Sequence, residues 1–137
     1  MRDCDEEWAE RMTDEERYQQ GLETRRGVLG DEWVDRSLAN LNPFNADFQN
    51  FISRYVWGEI WTRPGIDQKT RRYMVLGTMM ALGRWEEFRL HVGAAMRAGF
   101  TKDDIKEIIL QQSVYCGVPM GNHATVEAQR VFDEMKI

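Results

Sequence analysis

Three polar side chains in the second half of the chain are spaced for acid–base chemistry. Arg84, Glu87 and His91 lie three and four residues apart, so on an α-helix they share one face. A carboxylate one turn from an imidazole can hold its tautomer and raise its pKa. An arginine one turn earlier is suited to bind a carboxylate or an oxyanion. The spacing predicts proton transfer to or from an anionic substrate; the alternative is an ordinary surface ion pair.

Several arginines lie beside predicted turns, although the chain as a whole is acidic. The net charge is -5, from 18 basic and 23 acidic side chains. The arginines in question are Arg25, Arg26, Arg36, Arg63, Arg71 and Arg72. Such a set is suited to line a local anion pocket, whereas for any single arginine the alternative is pairing with a neighbouring acid such as Asp31 or Asp35.

The remaining reactive side chains give little support for a metal site or a nucleophile. The sequence has two cysteines, Cys4 and Cys116, and two histidines, His91 and His123. It contains no Cys-x-x-Cys pair and no glycine-rich phosphate loop. No histidine lies at a helical offset from Cys116, which favours a buried, unreactive thiol, and His123 stays unassigned. The sequence therefore offers too few conventional ligands for a zinc site.

The composition argues against a disordered, nucleic-acid-binding, membrane-spanning or secreted protein. With 137 residues, 42% hydrophobic and 30% charged, the chain can bury one core and is not disordered. The acidic balance argues against nucleic acid as a partner. No apolar run approaches the roughly 20 residues of a membrane span, and residues 1–7 lack a secretory signal core. We expect a cytoplasmic protein with neither nucleic acid nor membrane as a partner.

The periodicity predicts an all-α domain of about six helices over residues 14–137, preceded by a polar extension, residues 1–13. Thr13 and Glu16 can form a capping box that starts a helix. We expect residues 57–65 to form a loop, because Pro64-Gly65 is a turn signal. A central helix is predicted from about residue 67 to 82, followed by a helix over 84–98 and a last helix over 120–135. Short connections favour antiparallel neighbours.

Six blocks in this order resemble the 4-carboxymuconolactone decarboxylase family, over about residues 15–135. The blocks are RRGVLGD (25–31), VDRS (34–37), NPFN (42–45), WGEIWTRPG (57–65), EFRLH (87–91) and YCGVP (115–119). The wider superfamily includes alkylhydroperoxidase-D-like proteins, whose redox motif is Cys-x-x-Cys-x-x-x-His. Aligned through His91, the cysteine positions are Arg84 and Glu87, and the assisting glutamate falls at Arg72. Dithiol chemistry is therefore not expected.

The resemblance implies an alkylhydroperoxidase-D-like helical fold, a homo-oligomer (hexamer or trimer) and an active site near the helix hairpin. It implies neither a metal nor an organic cofactor. It also implies cofactor-independent decarboxylation of 4-carboxymuconolactone to 3-oxoadipate enol-lactone, in protocatechuate catabolism through the β-ketoadipate pathway. The small-molecule substrate is a lactone dicarboxylate.

On this basis we assign roles to six side chains. His91 donates the proton, and Glu87 orients His91 and keeps it protonated. Arg72 and Arg84 bind the substrate carboxylates or the oxyanion. Trp61 and Arg63 form a lid or part of a neighbouring subunit's wall. Two other functions stay open: an alkylhydroperoxidase-D-like redox protein that lacks the dithiol, and a non-catalytic helical oligomer that binds a metabolite.

Overall fold

The computed structural model describes residues 12–137 and contains helices but no β-strand in that range. This confirms the predicted all-α class. The helices are α1 (Asp14–Leu29), α2 (Asp31–Ala39), α3 (Ala46–Phe51), α4 (Gln68–Leu82), α5 (Trp85–Arg97), α6 (Lys102–Cys116) and α7 (Val118–Met135), and α3 continues into a π-helical segment, Ile52–Ile60. Most of the predicted extension, residues 1–11, lies outside the described residues. No helix among residues 12–137 is both long and apolar enough to cross a bilayer.

The described chain forms two compact units that meet in sequence at Gln68 and Lys69. The first unit contains α1 to α3 and the π-helical segment, and the second contains α4 to α7. The predicted domain boundary at residue 14 stays a prediction.

In the first unit, α1 begins where its capping residues predict. The Thr13 hydroxyl accepts a hydrogen bond from the Glu16 backbone N–H at 3.2 Å, and the Glu16 carboxylate accepts one from the Thr13 N–H at 2.9 Å. Two backbone donors at the helix start are thereby satisfied. Gly30, with φ of 95°, ends the helix, in the left-handed region that glycine adopts without steric cost.

The prediction of a loop over residues 57–65 is wrong in its first part. Residues 57–60 continue the helix in π form, with the Trp61 N–H bonded to the Val56 carbonyl oxygen at 3.0 Å. Gly58 gives the reason. A Cβ there would lie 2.2 Å from the Arg17 carbonyl oxygen, so this glycine allows close helix packing rather than ending a helix.

Gly21 makes the reciprocal contact and supplies a stability prediction. A Cβ at Gly21 would lie 1.8 Å from the Ser53 carbonyl oxygen, whereas a Cβ at Gly27, on the same helix, would meet nothing within 4 Å. We expect Gly21→Ala to lower the free energy of unfolding by about 1–3 kcal/mol through overpacking. The matched variant Gly27→Ala should raise it by about 0.4–1 kcal/mol. Urea denaturation of both variants measures the contrast; equal stabilities would contradict the close packing.

In the second unit, α7 packs against both α5 and α6. The buried apolar core of this unit contains Leu76, Met80, Phe88, Val92, Ala95, Phe100, Ile105, Ile108, Ile109, Ala124, Ala128, Val131 and Phe132. Gly83, with φ of 67°, makes the tight turn between α4 and α5. A capping box of Thr101 and Asp104 starts α6.

Helix α7 begins at Val118 rather than at the predicted residue 120. Pro119 lies in the first turn of α7, where proline is tolerated because its missing N–H has no intrahelical partner. The break between α6 and α7 falls at Gly117, with φ of 97°.

Candidate functional site

The start of α5 brings Arg84 and Glu87 together. The Arg84 guanidinium donates to the Glu87 carboxylate at 2.6 Å, and the two side chains are 62% and 39% exposed. The hydrogen bond from Arg84 lowers the pKa of Glu87. The Glu87 carboxylate is therefore bound by Arg84, one turn before it on the helix, whereas His91 lies one turn after it.

His91 is half-buried on the same helix. Phe88, three residues earlier, and Val92, the next residue, are 1% and 0% exposed. The Nδ1 atom is buried and has no hydrogen-bond partner among the described residues. An unsatisfied buried ring nitrogen is uncommon, and such groups occur at catalytic sites.

The charge state of His91 differs from the one predicted. Burial is the largest cause that lowers the pKa of His91, the positive charge of Arg72 lowers it further, and Glu87 opposes both; the result is a pKa of about 4. The prediction that Glu87 keeps His91 protonated is therefore wrong for the unliganded chain. The carboxylate acts in the predicted direction, but it is partly exposed and its effect is outweighed by desolvation.

Arg72 is the cation of the site that lies furthest from solvent. It is 2% exposed on α4. Burial lowers the pKa of Arg72, and the nearby charge of Arg97 adds to that effect. Sequence reasoning missed Arg97, because nothing in its spacing from His91 separates it from an ordinary surface arginine. The second unit thus groups a buried guanidinium, a second cation and a neutral imidazole.

Trp61 and Arg63 belong to the first compact unit. The Trp61 ring stacks on Trp57 with centroids 5.1 Å apart, and the Arg63 N–H donates to the Ile60 carbonyl oxygen at 3.2 Å. The role of Trp61 and Arg63 as a lid or as part of a neighbouring subunit's wall stays a prediction.

No group of three His, Cys, Asp or Glu side chains within residues 12–137 is arranged to hold a metal ion. Cys116 is a free cysteine and is half-buried rather than fully buried. The side chains grouped around His91 are suited to bind an anion and to exchange one proton.

Comparison with known proteins supports this chemistry. The carboxymuconolactone decarboxylase family model matches residues 46–129. The chain is 52% identical to the 4-carboxymuconolactone decarboxylase of Acinetobacter baylyi over 126 residues, which is 92% of this chain and 94% of that protein. It is 36% identical to the nitrosuccinic acid decarboxylase of Metarhizium robertsii, over 86% of this chain and 82% of that one. A 4-carboxymuconolactone decarboxylase sequence of Pseudomonas putida is 48% identical over 48 residues, 35% of this chain and 100% of that sequence.

Proposed function

Because the chain belongs to the carboxymuconolactone decarboxylase family, we propose that it converts 4-carboxymuconolactone to 3-oxoadipate enol-lactone and CO2. The observation that carries this proposal is the 52% identity to a 4-carboxymuconolactone decarboxylase across 94% of that protein. The chain is a carboxy-lyase, and its place is in protocatechuate catabolism through the β-ketoadipate pathway. The small, acidic chain with few cysteines fits a cytoplasmic location.

The substrate supplies its own electron sink. Its departing carboxylate is attached to the ring carbon that is conjugated through the C=C bond to the lactone carbonyl. When the C–CO2 bond breaks, its electron pair moves through that double bond to the carbonyl oxygen and forms a dienolate. Nitrosuccinic acid, the substrate named for the second relative, has the same property, because its nitro group accepts the electrons. Because each substrate contains its own electron-accepting group, its decarboxylation needs no cofactor.

The dienolate then needs one proton, on the carbon next to the carbonyl. Dianion plus one proton gives CO2 and the enol-lactone monoanion, so each turnover takes up one proton from solvent. We assign the delivery to His91. In the unliganded chain its low pKa leaves the imidazole neutral at pH 7, and the negative charges of the bound substrate raise that pKa. Substrate binding thereby causes His91 to take up the proton that the reaction consumes.

Arg72 is the cation that we assign to the substrate anion or to the dienolate oxygen. A buried guanidinium acts strongly on charge because little water screens it. Arg84 is engaged by Glu87 and would have to leave that partner to contact the substrate. Trp61 and Arg63 are proposed as the wall that excludes water, in the same subunit or in a neighbouring one.

We also propose that the chain forms a homo-oligomer, a hexamer or a trimer. The end of α6 and the start of α7 expose large apolar side chains: Val114 is 79% exposed, Tyr115 78% and Val118 77%. Contiguous exposed apolar groups of this kind are typical of interaction surfaces. Light scattering of the purified protein measures the subunit number.

Turnover of the lactone by purified protein tests the activity. With a chelator present, we expect stoichiometric CO2 and enol-lactone and no loss of rate. Binding of the lactone without its consumption would contradict the proposal and support a metabolite-binding protein. Peroxide reduction that disappears when Cys4 and Cys116 are both replaced by serine would instead support the redox function.

A further inference from the structure

A seam of matched residues joins α5 to α7 on the side of α5 away from His91. The seam residues recur every four positions on each helix, and α5 contributes the first three and α7 the last three: Trp85, Arg89, Gly93, His123, Glu127 and Val131. Four-residue spacing on both partners is the usual pattern when the ridges of two helices interdigitate. The seam pairs them in order along both helices.

Two of the three pairs are direct contacts, and the third places Gly93 beside Val131. The Trp85 and His123 rings stack with centroids 4.1 Å apart. The Arg89 guanidinium donates to the Glu127 carboxylate at 2.5 Å. A Cβ on Gly93 would lie 3.8 Å from the Val131 side chain. Arg89 and Glu127 form the only charged pair of the three, and their ion pair joins the two helices directly.

Glu127 is a buried carboxylate whose charge is compensated from both helices. It is 5% exposed, and the hydrogen bond from Arg89 is the largest cause of its lowered pKa. On its own helix, His123 Nε2 lies 3.4 Å and Arg130 Nη1 3.5 Å from carboxylate oxygens of Glu127. Removing one partner of a buried ion pair is costly because the other charge is then left unpaired. The Arg89 contact therefore fixes the rotation of α5 against α7.

The rotation of α5 decides where the His91 imidazole points. Arg89 and His91 are two residues apart, so they project about 200° apart around the helix. A helix with its side chains has a radius of about 5–6 Å, so a rotation of 10° moves a side-chain tip by about 1 Å. A displacement of 1 Å in a reacting group can reduce a rate by about 100-fold.

We propose that Arg89 and Glu127 are positioning residues for the decarboxylation, and that their ion pair sets the direction of the His91 imidazole. This inference rests on the role given to His91 in the proposed function. Neither residue touches the substrate. Both act from behind the helix that carries the proton donor.

Two substitutions in the Arg89–Glu127 ion pair and one matched control test the proposal. Glu127→Gln keeps the shape of the side chain but removes its charge, and Arg89→Lys keeps the charge but removes the planar guanidinium. Arg130→Met also removes an ion pair from Glu127, but Arg130 lies on the same helix as Glu127 and cannot tie α5. If Glu127→Gln fails to fold, Arg89→Lys, at a side chain 32% exposed, still gives the answer.

The first readout is the imidazole NMR titration of His91 without substrate. The sequence has only two histidines, and a spectrum of His91→Gln assigns them. Loss of a negative charge alone would lower the pKa of His91 further, whereas movement of the ring towards water raises it. We expect Glu127→Gln and Arg89→Lys to raise it towards the usual value of about 6.5, and Arg130→Met to leave it unchanged.

The second readout is turnover of the lactone. We expect kcat to fall by about 10–100-fold in the two seam variants, with KM within about 3-fold, and both constants of Arg130→Met to stay near wild type. An unchanged His91 titration, with rates reduced only in proportion to the unfolded fraction, would overturn the positioning role. That result is distinct from failure of the proposed function, in which the wild-type protein would not consume the lactone, and from failure of the role of His91, in which His91→Gln would retain turnover.

Discussion

His91→Gln is expected to lower kcat by about 10²–10⁴-fold, the range for loss of a general acid. Glutamine has a similar size and is neutral, as the half-buried imidazole is at pH 7 in the unliganded chain. The substitution therefore removes the proton donor without adding or removing charge beside Arg72. Because the imidazolium formed in the complex also attracts the substrate carboxylates, KM should rise as well.

The measurement is steady-state formation of enol-lactone, with circular dichroism at the assay temperature to establish that the variant is folded. Glu86→Gln is the matched control, since Glu86 is an exposed residue on the same helix and has no assigned role. Its kcat should equal that of wild type. A folded His91→Gln variant with kcat within about 3-fold of wild type would remove His91 from the reaction.

The elements around the site could be predicted because their signals are local. Thr13 with Glu16, and Thr101 with Asp104, satisfy backbone donors within one turn of chain, and both helix starts appear where the sequence places them. Gly58 illustrates the opposite case. A glycine has the same local signature whether it ends a helix or lets another backbone approach, and only the packing of α1 decides between the two.

In the site, too, local spacing predicts some features, whereas others depend on tertiary packing. Spacing places Arg84, Glu87 and His91 on one face of a helix, but it does not decide which of the two neighbours the carboxylate binds. Arg84 binds it, because a guanidinium always carries its charge whereas a buried imidazole loses its own. The low pKa of His91 depends on how far α5 is buried and on Arg72 from α4, neither of which is encoded in nearby sequence.

The low pKa of His91 predicts that kcat/KM and kcat depend differently on pH. The profile of kcat/KM reports ionisation in the free enzyme, and that of kcat reports the enzyme–substrate complex. With a pKa of about 4 in the unliganded chain, the protonated fraction falls about 10-fold for each pH unit above that value. Since the protonated imidazole is the reactive form, kcat/KM should fall by about 100-fold between pH 5.5 and 7.5.

In the complex the sign of the electrostatic effect is reversed. Substrate carboxylates beside His91 stabilise the imidazolium and raise its pKa, so kcat should stay nearly constant over the same range while KM rises. Glu87→Gln gives the finer test, because the Glu87 charge raises the pKa of His91. Its removal should displace the kcat/KM profile towards lower pH, whereas Glu86→Gln should leave the profile in place. If kcat/KM were flat from pH 5.5 to 7.5 in the wild type, protonation of His91 would not accompany binding, and another group would have to donate the proton.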